Sequence, residues 1–128
     1  MKALVLGCAI TFLVTPAWAG EGATGHDLLP HCQAASQAIA RGNKPRPNDE
    51  LVMQGICLGE IYATTRMLAT RGLTCIPNTM TTQALLRSTV AYLSLKPENL
   101  ELDFVDLVAD MQLSMWPCEV GNGRHSRQ

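Results

Sequence analysis

From Gly20 to Gln128 the apolar residues recur at spacings of three and four, separated by Pro, Gly and Asn. No alternating apolar–polar stretch of strand length appears, so the pattern predicts helices joined by loops. The first helix is predicted to begin with Asp27 as N-cap, which places Pro30 in the first turn, and to end at Arg41-Gly42. Its inward set is Leu29, Cys32, Ala35 and Ile39, with Ser36 at the edge of the stripe. A polar loop, Gly42-Asn43-Lys44-Pro45-Arg46-Pro47, follows. The second helix is predicted from about Asn48 to Arg71-Gly72, with Asp49 and Glu50 set favourably against the helix dipole. Between Leu51 and Thr70 only Glu60 and Arg66 are charged. A helix apolar all round is expected to be the central one of its bundle. Gly55 and Gly59, four apart, would let a neighbour approach closely. The third helix is predicted over Thr81 to Leu95, with Leu86, Val90 and Leu93 as core stripe flanked by Leu85 and Tyr92. The fourth is predicted from about Asn99 to Met115, before Trp116-Pro117-Cys118. Residues 119–128 are polar and are read as a disordered tail.

The N-terminus has a different pattern. Met1-Lys2 gives a positive start, an apolar run follows from Ala3 to Val14, and Ala17-Trp18-Ala19 supplies a small-x-small cleavage signal. At about 12 residues the run is too short for a membrane span of roughly 20. Residues 1–19 are therefore expected to be a signal peptide cut between Ala19 and Gly20. Val5-Leu6-Gly7-Cys8 resembles a lipobox but sits too early to leave a hydrophobic region behind it. The expected product is a periplasmic helical domain over residues 20–118, with no membrane attachment once the signal is cut.

Cleavage alters the composition in a way that matters. The full chain has 128 residues, five cysteines and net charge −1. The mature chain has 109 residues, nine basic and eleven acidic side chains, and an even four cysteines. An even set in an exported chain reads as two disulfides. Cys32 lies about nine residues before the end of the first helix, and Cys57 about nine after the start of the second, so an antiparallel hairpin sets them level. Cys75 precedes the third helix and Cys118 follows the fourth, so a second hairpin brings those together. A Cys57–Cys75 bridge would have to recover roughly 21 Å of helix with a short loop, while bridged Cα atoms lie within roughly 7 Å. The expected pairs are Cys32–Cys57 and Cys75–Cys118. The expected fold is all-α, a compact four-helix domain stapled by two disulfides.

Charge and chemistry narrow the function further. A near-neutral chain with 5% aromatic residues has neither the basic field nor the stacking platforms of a nucleic-acid binder. His26, His31 and His125 match no zinc spacing, and no phosphate loop, serine elbow or metalloprotease motif occurs. The expectation is a non-enzyme with no metal, no cofactor and no catalytic residues. Glu60 reads either as a partner contact or as the place where the second helix meets water. The fourth helix carries two apolar rows, Phe104, Leu107, Val108, Met111 and Met115 on one side and Leu102, Val105, Ala109, Leu113 and Trp116 on the other. Asp103, Asp106 and Asp110 form an acidic stripe beside the first. Either this helix is wedged between two neighbours, or Leu102, Val105, Leu113 and Trp116 form a self-association or partner surface.

Several short pieces fall in a familiar order: Gly25-His26-Asp27-Leu28-Leu29 with Cys32, Cys57-Leu58-Gly59-Glu60-Ile61, Cys75-Ile76-Pro77 with Thr81 and Gln83, Tyr92-Leu93 before Pro97-Glu98, and Trp116-Pro117-Cys118. With these, Gly25 to Cys118 resembles the Rap/Tai family, periplasmic immunity proteins that neutralise peptidoglycan-amidase toxins delivered by type VI secretion. The family's Gly-Tyr-Ile-x-Gly run reads Gly59-Glu60-Ile61-Tyr62-Ala63 here, a departure on the second helix that bears on partner specificity. The resemblance implies an all-α, disulfide-bonded binder, often dimeric, that occludes the active site of a cysteine amidase effector. Exposure and polarity nominate Glu60, the Thr79–Gln83 segment (Thr79, Met80, Thr81, Gln83) and the Lys96–Leu100 segment (Lys96, Glu98, Asn99) as partner contacts. The competing reading is a general periplasmic helical chaperone, similar to small acid-activated chaperones, using the second stripe of the fourth helix.

Overall fold

The structure is a computed structural model and describes residues 22–41 and 47–119. The expected signal peptide and cleavage point, His125, most of the linking loop after Gly42 and all of the polar tail except Glu119 lie outside the described residues. The elements in order are α1 (Gly25–Arg41), α2 (Asn48–Thr70), α3 (Thr82–Ser94), a 3-10 turn (Pro97–Asn99) and α4 (Phe104–Met115). Among the described residues there are no strands, only the isolated backbone bridges Thr24–Asp103 and Thr74–Pro117. The expected all-α, four-helix fold is what the chain adopts.

α1 begins three residues earlier than its sequence suggests, and Thr24, not Asp27, opens it. The Thr24 backbone N–H and hydroxyl both donate to the Asp27 carboxylate at 2.8 Å. The Asp27 N–H donates back to Thr24 Oγ1 at 3.3 Å. This is a capping box, with two otherwise orphaned donors satisfied reciprocally. The next two free donors, the N–H groups of Gly25 and His26, go to the Leu102 and Leu100 carbonyls at 3.0 and 2.9 Å. Pro30 consequently lies inside α1, beyond the first turn, on its exposed side. Leu28, Leu29, Cys32 and Ala35 are buried, whereas Ile39, expected inside, is 44% exposed near the end of the helix.

α2 is not the enclosed central helix that its composition predicts. It buries one face, Gln54, Cys57, Ile61, Thr64 and Leu68, against α1 and α4. The opposite side is open, with Leu51, Val52, Ile56, Tyr62 and Met67 all exposed. The reason is topological: α1 and α4 each contact the other three helices, so the two share the middle that α2 was expected to fill. α2 ends in a Schellman arrangement, with the Leu73 N–H donating to the Leu68 carbonyl and the Gly72 N–H to the Ala69 carbonyl, both at 3.0 Å. Gly72 has φ +66°, a left-handed conformation that glycine enters without a Cβ penalty.

Thr81 caps α3 as its hydroxyl accepts from the Ala84 N–H at 3.1 Å. Leu85, Leu86, Thr89 and Leu93 form its buried face, and Val90 packs half-buried beside them. α4 starts at Phe104 and not near Asn99, because Pro97–Asn99 closes a separate 3-10 turn and Asp103 is the true N-cap, its carboxylate accepting from the Val105 N–H at 2.9 Å.

Both expected disulfides are present. Cys32–Cys57 lies in the core, with both residues fully buried and Cα atoms 5.6 Å apart. Cys75–Cys118 has Cα atoms 4.9 Å apart and lies near the surface, beside the Thr74–Pro117 bridge and the Cys75 N–H to Trp116 carbonyl bond of 2.9 Å. They span 25 and 43 residues, which on the loop-entropy model stabilises the fold by about 3.5 and about 4 kcal/mol.

Candidate functional site

The two nominated contact segments are held by different devices. The α2–α3 connection leaves α2 at Gly72, is clasped by the Cys75–Cys118 disulfide, and turns again where the Met80 N–H donates to the Pro77 carbonyl at 2.9 Å. Within it Thr79 is exposed, and Met80 packs half-buried against the core. Thr81 spends its hydroxyl on the α3 cap, and Gln83 is half-buried. Only part of this segment is therefore free for a partner.

The α3–α4 connection is fastened to both ends of its neighbours. Leu100 is buried, and its carbonyl and that of Leu102 hold the start of α1. Lys96 Nζ lies 2.6 Å from the Tyr92 hydroxyl and 4.3 Å from that ring's centroid. The same hydroxyl donates to Asp110 Oδ2 at 2.8 Å, with Lys96 Nζ 4.0 Å from that oxygen. The hydrogen bond to Tyr92 raises the Lys96 ammonium above its usual range, helped by the nearby Tyr92, Asp110 and Glu98. Glu98 is exposed and Asn99 half-buried, so the tip of this connection presents polar groups on a fixed backbone. Glu60 lies half-buried in the middle of α2, where its backbone carbonyl accepts from the Thr64 hydroxyl at 2.8 Å.

The acidic stripe on α4 dissolves into separate structural roles. Asp103 caps the helix, Asp106 lies exposed in its first turn, and Asp110 anchors Tyr92. A cleft of about 600 Å³ lined by Gly22, Ala23, Thr24, Asp27, Glu101 and Asp103 gathers three carboxylates. Each already has a partner: Asp27 serves the capping box, Asp103 caps α4, and Glu101 Oε1 lies 3.3 Å from His26 Nε2. Bonds from Thr24, first its backbone N–H and then its hydroxyl, hold the Asp27 carboxyl below its ordinary value. Among the described residues, no three His, Cys, Asp or Glu side chains converge to hold a metal ion. Among them, too, no helix is long and apolar enough to cross a membrane.

The second apolar row of α4 is broken up. Leu102 lies before the helix and is 54% exposed, and Leu113 is 41% exposed. Val105 and Ala109 are half-buried, and Trp116 packs against the core. α4 touches α1, α2 and α3, which is the wedged arrangement, and its first row, Phe104, Leu107, Val108 and Met111, fills the core. Met115, from the same row, is 46% exposed at the helix end.

Two features escaped the sequence reading. The capping box was available in it, as Thr24-Gly25-His26-Asp27 has the required spacing. The Lys96–Tyr92–Asp110 cluster was only half available: Tyr92 and Lys96 are four apart, but Asp110 arrives from another helix.

What these devices define is a small helical domain whose α2–α3 and α3–α4 connections are fixed in place by a disulfide, caps and backbone bridges. The family profile described as Rap1a immunity proteins matches residues 24–118, and the chain belongs to that family. An immunity family implies that the ligand is a protein effector. No curated protein and no solved structure gives a significant match to the chain.

Proposed function

We propose that the chain is a periplasmic immunity protein that neutralises a peptidoglycan-amidase effector delivered by type VI secretion, by occluding its active site. The observation that carries this reading is the family match, which spans the whole helical domain from Thr24 to Cys118. The export pattern of residues 1–19 supports placement in the compartment where peptidoglycan lies. The two fixed connections support the mode of action. A loop held by a disulfide or by a carbonyl-to-helix clasp loses little entropy on docking, which favours tight binding. Thr79 and Glu98, exposed on those connections, are the contacts we assign to the effector. Occlusion works by excluding substrate and needs no reactive group on the inhibitor.

The test is co-expression with a panel of amidase effectors directed to the periplasm. At least one effector is expected to lyse cells alone, be neutralised by this chain and co-purify with it. Absence of both protection and binding across the panel overturns the reading.

A further inference from the structure

The two disulfides stand in opposite surroundings. Cys32 and Cys57 have no exposed surface and join α1 to α2 inside the core, whereas Cys75 is exposed and Cys118 half-buried. Around the outer pair, every residue from Gly72 to Thr79 except Thr74 is at least partly open to solvent, as is every residue from Leu113 to Glu119. Thr74, next to Cys75, is the exception: it is buried, and its hydroxyl has no hydrogen-bond partner. We propose that Cys75–Cys118 is a thiol–disulfide exchange site, and that its reduction by a dithiol releases the connection from Thr74 to Met80 while the four helices stay packed.

Three observations make this bridge a latch as well as a staple. The flanking helices end in caps that do not need it. At the end of α2 the Gly72 and Leu73 N–H groups donate to the Ala69 and Leu68 carbonyls, both at 3.0 Å. At the start of α3 the Thr81 hydroxyl accepts from the Ala84 N–H, and the Thr81 carbonyl accepts from the Leu85 N–H at 2.9 Å. Thr74 is the second observation. A buried hydroxyl without a partner is costly, and opening the connection gives it water, so the closed form stores a bias toward release. The third is how the closed form is held. Besides the disulfide it has the Cys75 N–H to Trp116 carbonyl bond of 2.9 Å and the partial burial of Ile76, Met80 and Trp116. The covalent bond therefore tips the balance, while Cys32–Cys57 keeps the core tied out of a reductant's reach. In the exchange, a thiolate of the dithiol attacks Cys75 Sγ, the bridge breaks, and Cys118 leaves as thiolate. The second thiol then displaces Cys75 from the mixed disulfide. The dithiol is oxidised to a disulfide, and the two cysteines gain its two electrons and two protons. Redox state thus selects between two presentations of the connection that carries Thr79. This assignment stands apart from the immunity reading and does not depend on it.

Brief treatment of the exported chain with dithiothreitol tests the proposal, followed by fluorescence, circular dichroism and hydrogen exchange. Cut after Ala19, the chain has Trp116 as its single tryptophan, beside the latch. Once alkylation shows the outer pair open, Trp116 emission is expected to shift to the red and the amides from Cys75 to Met80 to lose protection. The helical circular dichroism is expected to stay unchanged, and reoxidation to reverse the shift. Thr74→Val removes the unpaired hydroxyl and keeps both disulfides, so in its reduced form the open population is expected to fall on the order of tenfold. Loss of helical signal together with the outer bridge overturns the proposal, since the bond would then be a staple of the whole fold. So does Trp116 emission that stays fixed while the pair is open, and so does a reduced Thr74→Val chain that opens as readily as wild type.

Discussion

At Thr24 and Asp27, two short polar side chains three residues apart decide where α1 begins. Neither is buried, yet between them they satisfy donors that the first turn leaves without helical partners. Thr24→Ala is expected to cost about 1 kcal/mol, read as a lower denaturation midpoint at neutral pH. The Asp27 carboxyl is held below its ordinary 3.8 by the bonds from Thr24, so its contribution is present above that pH. It is lost as pH falls through the depressed folded value. Asp27→Asn should therefore destabilise the chain at neutral pH, with the gap to wild type closing below pH 3.8. Urea melts at several pH values check this, and a gap that persists in strong acid would contradict it. Gln112 shows the opposite side of residue-scale chemistry. It is fully buried on α4 and donates to Thr65 Oγ1 at 2.8 Å, a cross-helix pairing that no periodicity could announce.

At the scale of elements, helix ends were easier to place than helix faces. Gly72 and the Lys96-Pro97 stop punctuate the chain where breakers are written into it, and α2 and α3 end within a residue or so of their expected places. Gly72 has φ +66° with open space around it, so the strain of a side chain there is purely conformational. Gly72→Ala is expected to cost about 1 kcal/mol, with Gly72→Asn costing less because asparagine tolerates the left-handed region. Equal midpoints for alanine and glycine in a thermal melt would refute the cap. α4 starts later than the expected Asn99, because Pro97–Asn99 forms a single 3-10 turn and Asp103 is the residue that caps the helix. Faces were harder. α2 has apolar residues on every side, so composition gave no way to tell its buried side from its open one.

At the scale of the molecule, the two disulfides divide the work between core and surface. Cys32 and Cys57 have no exposed surface, whereas Cys75 is exposed and Cys118 half-buried. A dithiol reductant is therefore expected to open Cys75–Cys118 first, read by alkylation and mass spectrometry after brief treatment. Losing that bridge should lower stability by about 4 kcal/mol, a large share of the 5–15 kcal/mol typical of a domain. Simultaneous opening of both pairs would contradict the ordering. The same bridge clasps the connection that carries Thr79, so reduction should also weaken effector binding if that segment is a contact.

Four helices, their punctuation and both cysteine pairings were determined by the sequence alone. Each depends on local chemistry or on reach: spacings of three and four, breakers at the ends, and the 1.5 Å rise that levels Cys32 with Cys57. Tertiary structure alone decided which helix holds the centre and which residues remain available to a partner. α1 and α4 took the middle, leaving an apolar face of α2 in the open, while Thr81, Asp103 and Asp110, all free-looking in the sequence, are spent on caps and a bridge. Availability depends on contacts between distant segments, and those exist only once the chain has packed.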